Sequence, residues 1–345
     1  MNKCRFTQTS GRVMRKTVAG FTLAEMAVVV LLVGIMLTMG LSVLKAQTDS
    51  AAYSVTSKKQ AAIKDALVAY LRANWRLPCP DTNFVGGTAP FRPDGLENRV
   101  GAVTTACISN FGVVPYVTLG LPPEMALDGW NNFMSYHVSI APDWSLTANF
   151  NPAAVGSITV NSAPATPLTT NAVAVVVSHG KNGNGAYTTK GSRNITPTTA
   201  DPLAVNEQEN TNVAANLIYF KREFTDVPAA VGGAFDDVVI YLQAEDLLTP
   251  LRNDGSLKVQ QDALTAIQNA VVAQSFATCI LPAAFTPLGQ VYGNNVTYTR
   301  SFTGTVSQGT TASNQQLFVL TVGAVPNNIL MNQMSTVYAN YSKCP

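Results

Sequence analysis

The sequence predicts an α+β protein in which one long N-terminal helix packs on an antiparallel β-sheet and a C-terminal α+β extension follows. Three observations carry that reading. A helical pattern fills residues 21 to 76, short β-prone runs separated by Gly, Pro and Asn follow it, and a second helical pattern with further strand-like runs begins after Asn253. With 345 residues, 47% of them hydrophobic, the chain is long enough to bury one or two cores. Charged residues make up only 12%, about half the usual share, while Ser, Thr, Asn and Gln are plentiful over the last two thirds. That balance suits an exported, polar but weakly charged surface.

The formal charge of +2 conceals an asymmetry. Lys3, Arg5, Arg12, Arg15 and Lys16 lie in the first twenty residues, which contain no acid. Beyond them 17 basic residues face 20 acidic ones, a net of −3. No basic field remains to attract nucleic acid, so no nucleic-acid partner is expected.

The first element has two halves. From Met26 to Leu44 run nineteen residues without a charge, bounded by Glu25 and Lys45, and about 20 apolar residues cross the hydrocarbon of a bilayer as a helix. A secretory signal has a similar core, so the flanks must decide. Past Lys45 the pattern turns amphipathic, with Ala52, Val55, Ala62, Ile63, Ala66, Leu67, Tyr70 and Leu71 at helical spacing. The helix should end where Leu77 precedes Pro78, because proline disfavours the helical conformation in the residue before it. Phe21 to Arg76 is 56 residues, on the order of 84 Å if continuous. Gly34 and Gly40 are positions for bending, local unwinding or close helix packing.

Arg15 and Lys16 lead into Gly20, Phe21, Thr22, Leu23, Ala24 and Glu25, with the uncharged run directly after. This string resembles the processing site of type IV pilins and type II secretion pseudopilins. The resemblance implies a leader of residues 1–20, cleavage between Gly20 and Phe21 by a prepilin peptidase, and N-methylation of Phe21. It also implies a single-pass protein of the bacterial inner membrane with its globular part in the periplasm. An inner-membrane assembly platform would then draw it, with other pilin or pseudopilin subunits, into a fibre. The expected segments are the leader at 1–20, a transmembrane and assembly helix at 21–45, a pilin-like domain at 46–252 and the extension at 253–345. A conventional signal cut near Ala46, or an uncleaved anchor, is the competing reading. Physical reasoning meets the family at Glu25, because a carboxylate at the edge of an apolar span needs compensation. The protonated α-amine of Phe21 on a neighbouring subunit would supply it and fix the axial stagger, unless Glu25 snorkels to the headgroups. The size of the mature chain favours a minor pilin or minor pseudopilin, and retention of Glu25 argues against the large tip pseudopilin of type II secretion. The alternative function is a fibre-tip adhesin using the region after Asn253, with Tyr292 and Tyr298 as its first suspects.

Cys4 falls in the leader, which leaves Cys79, Cys107, Cys279 and Cys344 as an even set. Four cysteines allow three pairings, and an exported chain favours oxidation. Cys79 with Cys107 and Cys279 with Cys344 are the preferred pairs, each closing within one half of the chain.

Strands are expected at Val113–Leu119, Phe133–Ile140, Ser157–Val160, Ala172–Ser178, Asn216–Phe224 and Asp237–Leu242. Asp128, Gly129, Trp130 and the later Tyr136 resemble an aspartate, tryptophan and tyrosine element that precedes a strand in pseudopilins. The segment from Val177 to Gly185 stands where major pseudopilins carry a calcium-binding loop. It offers Asn182 and Asn184 but no carboxylate, so a tight glycine turn is favoured over a metal site and no cofactor is expected, calcium being the one candidate. Asp81, Asp94 and Glu97 are further acidic candidates near the first cysteine pair. In the extension the spacing predicts a helix over Lys258–Cys279 and strands at Asn295–Phe302 and Gln316–Val322.

No catalytic residues are expected. His137 and His179 are the only histidines, and the chain carries no nucleophile elbow, zinc-protease, phosphate-loop or dinucleotide motif. Strand alternation would send Ser178 and His179 apart, and likewise Asp236 and Asp237.

Overall fold

A computed structural model describes residues 22–83, 93–101, 106–140, 142–195, 205–211, 216–227, 230–273, 284–285, 289–300 and 316–330. Side chains are described over the same residues except 38–46, 142, 205, 269–273, 284–285, 298–300, 316–320 and 325–330. The architecture is α+β with mainly antiparallel sheets. Residues Met1–Ser50 form one compact unit and Ala51–Pro345 a second.

Helix α1 (Leu23–Asn74) is helical through both Gly34 and Gly40. Among the described residues no helix is long and apolar enough to cross a membrane. Within the uncharged run Met26–Leu44, the side chains of residues 38–44 lie outside those described. The helix stops at Asn74, two residues earlier than Pro78 alone would require, because Trp75 takes the left-handed conformation (φ 51°) while its N–H still bonds the Leu71 carbonyl at 2.8 Å. Glycine usually holds that position. Trp75 is kept there by its ring, which packs 5.1 Å from Tyr292 and 5.6 Å from Phe150.

After α1 the chain forms β1 (Phe111–Val113), β2 (Asn132–Phe133), β3 (Ser135–Val138), α2 (Pro142–Ser145), β4 (Ile158–Ala163), β5 (Thr166–Ala172), β6 (Ala174–Ser178) and β7 (Tyr187–Thr188). Next come α3 (Val205–Asn210), β8 (Ile218–Phe220), β9 (Val238–Leu242), α4 (Ala244–Asn253) and α5 (Ser256–Ala273). The last strands are β10 (Ala284–Phe285), β11 (Gln290–Val291), β12 (Asn294–Arg300), β13 (Gln316–Val322) and β14 (Val325–Leu330).

The central sheet has the order β1-β3-β6-β9, antiparallel throughout. Every residue of β6 is buried, since both of its faces are covered. Ala174 and Val176 share a core with Ile63, Leu67 and Leu71 of α1 and with Leu247, Leu248 and Leu251 of α4. Val175 and Val177 point the other way and join Ile158, Val160 and Tyr219, which belong to the small sheet β5-β4-β8, where β4 and β8 run parallel. The central sheet is thus packed between a helix and a second sheet, as period-two alternation on a doubly buried strand requires. Leu257, Val291, Val296 and Val322 of the C-terminal region belong to the main core.

Several sequence expectations need correction. The run Val113–Leu119 is a strand only as far as Val113. Pro115 offers no N–H to a ladder and the chain turns instead, with Leu119 N–H bonding the Pro115 carbonyl at 3.0 Å and Leu121 N–H that of Tyr116 at 2.8 Å. Asn216–Phe224 shrinks to Ile218–Phe220, and Phe133–Ile140 is interrupted at Met134. The helix expected over Lys258–Cys279 is described as Ser256–Ala273. A preceding helix, α4, went unread because Pro250 looks like a break, yet it falls inside the helix.

Candidate functional site

Register decides where chemistry gathers. Ser178 of β6 pairs with Val238 of β9, so the loop leaving β6 and the two aspartates leading into β9 lie side by side. Helix α3 brings in a third acid. Ligand oxygens of Glu207, Asp236 and Asp237 all lie within 4.8 Å of one another, and all three residues are buried. The expectation that Asp236 and Asp237 diverge fails for a local reason: β9 begins at Val238, so strand alternation does not yet govern them.

The loop after β6 wraps this cluster with amide donors. Asn182 Nδ2 donates to both oxygens of Glu207 at 3.0 and 2.9 Å, and Asn184 Nδ2 donates to Glu207 Oε2 at 3.0 Å. The backbone N–H of Asn182 donates to Asp236 Oδ2 at 2.7 Å, and that of Asp236 to Glu207 Oε1 at 3.0 Å. Asn210 Nδ2 donates to Asp237 Oδ2 at 2.8 Å while its Oδ1 accepts the Phe220 N–H at 2.7 Å, which locks α3 to β8. Gly180, at φ 58°, has no room for a Cβ, which would come within 2.3 Å of the Asp236 carbonyl oxygen. Here glycine is required by both conformation and space.

Two acceptors remain unsatisfied, Asp236 Oδ1 and Asp237 Oδ1. Burial pushes the pKa of both aspartates up, and the charge of Glu207 adds to the shift in each. Three carboxylates sharing so small a buried volume must hold protons or a cation. Hard oxygen donors with orphan lone pairs suit calcium rather than a soft metal. The sequence objection, that the loop lacks a carboxylate, is met by acids from α3 and the start of β9. The only sequence signal for that convergence was the adjacency of Asp236 and Asp237 ahead of a strand.

The other candidates are placed as follows. Gly20, Phe21, Cys279 and Cys344 lie outside the described residues. Glu25 is the third residue of α1: its Oε2 accepts the N–H and the Oγ1 hydroxyl of Thr22, both at 2.9 Å, and its own N–H donates to Thr22 Oγ1 at 3.3 Å. That is a reciprocal capping box, which the sequence reading overlooked although Thr22-x-x-Glu25 is its pattern. Cys79 and Cys107 form a disulfide. Beside it Glu97 accepts from Arg76, Arg99, Tyr70 and the Cys79 N–H at 2.7 to 3.0 Å, and Asp81 accepts the N–H groups of Gly95 and Asn83. Asp94 bonds the Leu96 N–H. These three acids are committed to separate local partners.

Both histidines are buried. His137 Nδ1 meets the Tyr219 hydroxyl at 2.6 Å and His179 Nε2 the Ser135 hydroxyl at 2.8 Å. Ser178 donates elsewhere, to Asp128 Oδ2 at 2.8 Å. Asp128 in turn accepts the N–H groups of Trp130 and Asn132, both at 2.9 Å, so the Asp128-Gly129-Trp130 element is a turn braced by its aspartate. Tyr292 is buried against Trp75, which removes it as a surface ligand contact. The side chain of Tyr298 lies outside the described residues. No family model, no curated protein and no solved structure matches this chain.

Proposed function

We propose that this chain is a structural subunit, a minor pilin or minor pseudopilin of a type IV pilus or type II secretion pseudopilus, held in the bacterial inner membrane by its N-terminal helix before assembly. One observation carries the reading. Eleven large apolar side chains between Leu23 and Leu37 are 45% to 89% exposed, on every side of α1. A helix that is apolar all round demands an apolar surrounding, either lipid or the same helix of sister subunits. The basic, glycine-terminated segment ahead of it supplies the processing signal, and prepilin peptidase and an assembly platform are the partners that follow.

Glu25 has two tasks in this proposal. In the single subunit it caps α1 through Oε2, and in the fibre its charge pairs with the α-amine of Phe21 on the next subunit. Mass spectrometry of the isolated protein should find an N-terminus at methylated Phe21, and a start near residue 47 would end the proposal. Glu25→Gln separates the two tasks, because glutamine still completes a capping box but carries no charge. The variant should fold, be processed and fail to enter filaments; normal incorporation would remove the charge-pairing step.

Within the subunit, the cluster of Glu207, Asp236 and Asp237 supports a second, local reading as a calcium site that braces the loop after β6 against β9. The two orphan aspartate oxygens favour it.

A further inference from the structure

The chain contains two Asn–Gly pairs, Asn182–Gly183 and Asn184–Gly185, and both fall in the loop after β6. Such a pair is open to an internal reaction, because glycine puts no side chain between its backbone nitrogen and the preceding amide. The glycine nitrogen gives up its proton and attacks the asparagine Cγ. A C–N bond forms, the Cγ–Nδ2 bond breaks, and the nitrogen leaves as ammonia, the glycine's proton reaching it through solvent. Water then opens the cyclic imide on either side to give aspartate or isoaspartate. The turn cannot be built without these pairs. Gly183 and Gly185 are at φ 64° and 75°, a conformation that residues with a Cβ rarely take.

The reacting atoms are nevertheless all engaged. Gly183 N–H donates to the His179 carbonyl and Gly185 N–H to the Ile195 carbonyl, both at 3.0 Å, so each attacking nitrogen keeps its proton in a hydrogen bond. Both amides hang on one carboxylate: Asn182 Nδ2 donates to the two oxygens of Glu207 at 3.0 and 2.9 Å, and Asn184 Nδ2 to Oε2 at 3.0 Å. Asn182 Oδ1 meanwhile accepts the Asn184 N–H at 2.8 Å. An amide held this way cannot swing its Cγ onto the glycine nitrogen, and misplacing reacting atoms by about 1 Å slows a reaction by about a hundredfold. Glu207 is 1% exposed and takes the Asp236 N–H at 3.0 Å. Asn182 is exposed and Asn184 half-buried, so water is at hand and geometry alone forbids the reaction.

We infer that Asn182 and Asn184 form a deamidation site that Glu207 holds closed in the folded protein, and that release of this carboxylate starts a one-way conversion of the loop to aspartate and isoaspartate. The inference stands whether or not the chain assembles into a fibre. Refolding cannot reverse the conversion. Each event replaces an amide donor with a carboxylate facing Glu207, where three acids already share a buried volume, and isoaspartate adds a carbon to the backbone of the turn.

The test incubates the full chain in detergent micelles with a chelator in mildly alkaline buffer, and reads deamidation of each asparagine by peptide mapping and mass spectrometry. Three samples are compared: folded parent, parent unfolded in urea, and folded Glu207→Gln. Asn161–Ser162 of β4 is the internal gauge of general loosening. The folded parent should deamidate at Asn182 and Asn184 about a hundredfold more slowly than the unfolded parent. Glu207→Gln, which removes the anion and one acceptor, should speed both sites by about tenfold or more while Asn161 stays unchanged. Equal rates in folded and unfolded parent would overturn the inference. So would a Glu207→Gln rate equal to or below that of the parent, the latter making Glu207 a promoter of the reaction, and so would an acceleration that Asn161 shares, which would mean that Glu207 acts only through overall stability.

Discussion

The backbone N–H of Gly129 donates to Thr56 Oγ1 at 2.9 Å, and Thr56 donates onward to the Ala52 carbonyl at 2.8 Å. The approach is so close that a Cβ on Gly129 would come within 2.2 Å of the Ala52 carbonyl oxygen. Gly129→Ala should therefore push the Asp128–Trp130 turn off α1, at a cost of about 1–3 kcal/mol by overpacking. Thr56→Val keeps the shape but strands the Gly129 N–H, and about 1–3 kcal/mol is the usual penalty for a buried donor without a partner. Denaturant titration of both variants checks this, and unchanged midpoints would show that the turn is not docked through this bond.

A second prediction concerns Glu97, which ties the disulfide-closed segment to the end of α1. Its side chain is 12% exposed between Arg76 and Arg99, at 7% and 3%. Glu97→Gln retains an acceptor but takes away the carboxylate charge that the nearly buried Arg76 guanidinium faces, and breaking a buried pair from one side costs about 3–5 kcal/mol. Reducing the Cys79–Cys107 bond should cost a further ~2–4 kcal/mol. Both losses are read from unfolding curves, with and without reductant. A Glu97→Gln variant as stable as the parent would mean that the arginines are compensated elsewhere.

How much of this was legible in the sequence depends on whether the cause was local. Helix α1 was readable because Ile63, Leu67 and Leu71 repeat at helical spacing and all three are fully buried. The strand expected at Ala172–Ser178 was readable from its apolar, β-branched run, and β6 occupies Ala174–Ser178. The Cys79–Cys107 bond is the pairing preferred among three because it closes within one half of the chain. By contrast β5, Thr-Pro-Leu-Thr-Thr-Asn-Ala, looks like a loop, because only Thr169 and Ala172 are buried and pairing with β4 makes it a strand. The acidic cluster was illegible for a related reason. Glu207 and Asp236 are 29 residues apart and meet only because Ser178 registers with Val238, a fact of tertiary pairing. The left-handed Trp75 was equally hidden, since the rings that hold it, Phe150 and Tyr292, come from far along the chain.

The histidines make stability pH-dependent. Burial pushes His137 down to about 4, and burial, with the charge of Arg193 adding to it, pushes His179 down to about 3. In the unfolded chain both titrate near 6.5. Below that pH the unfolded state takes up protons that the fold refuses, so their stabilisation, complete above pH 6.5, drains away as pH falls toward 4 and 3. Asp81 acts in the opposite sense, because burial raises it to about 6 and its contribution is lost as pH rises through that value. A difference measurement isolates the histidine. His137→Asn places an amide near the Tyr219 hydroxyl without a titrating ring, and at pH 4.5 it should recover about 2–3 kcal/mol relative to its own deficit at pH 7. Parallel pH profiles for parent and variant would show that His137 does not titrate on unfolding.

The calcium reading makes the last prediction, and it turns on the orphan oxygens of Asp236 and Asp237. A cation that binds the fold and not the unfolded chain stabilises by mass action, about 2.7 kcal/mol at a hundredfold excess over the dissociation constant. Without a cation the same oxygens favour protonation, since burial and Glu207 raise both aspartates. Calcium should therefore raise the melting temperature at pH 7 and should do so less at pH 5, where protons compete for the same oxygens. Asp237→Asn removes an orphan carboxylate oxygen and its charge together, so it should abolish the calcium response while leaving the apo protein no less stable, because a neutral amide relieves the crowding of negative charge beside Glu207. Thermal unfolding of both proteins over calcium concentrations up to about 10 mM, the range of weak extracellular sites, decides it. A parent melting temperature indifferent to calcium would mean that the cluster is neutralised by protons alone.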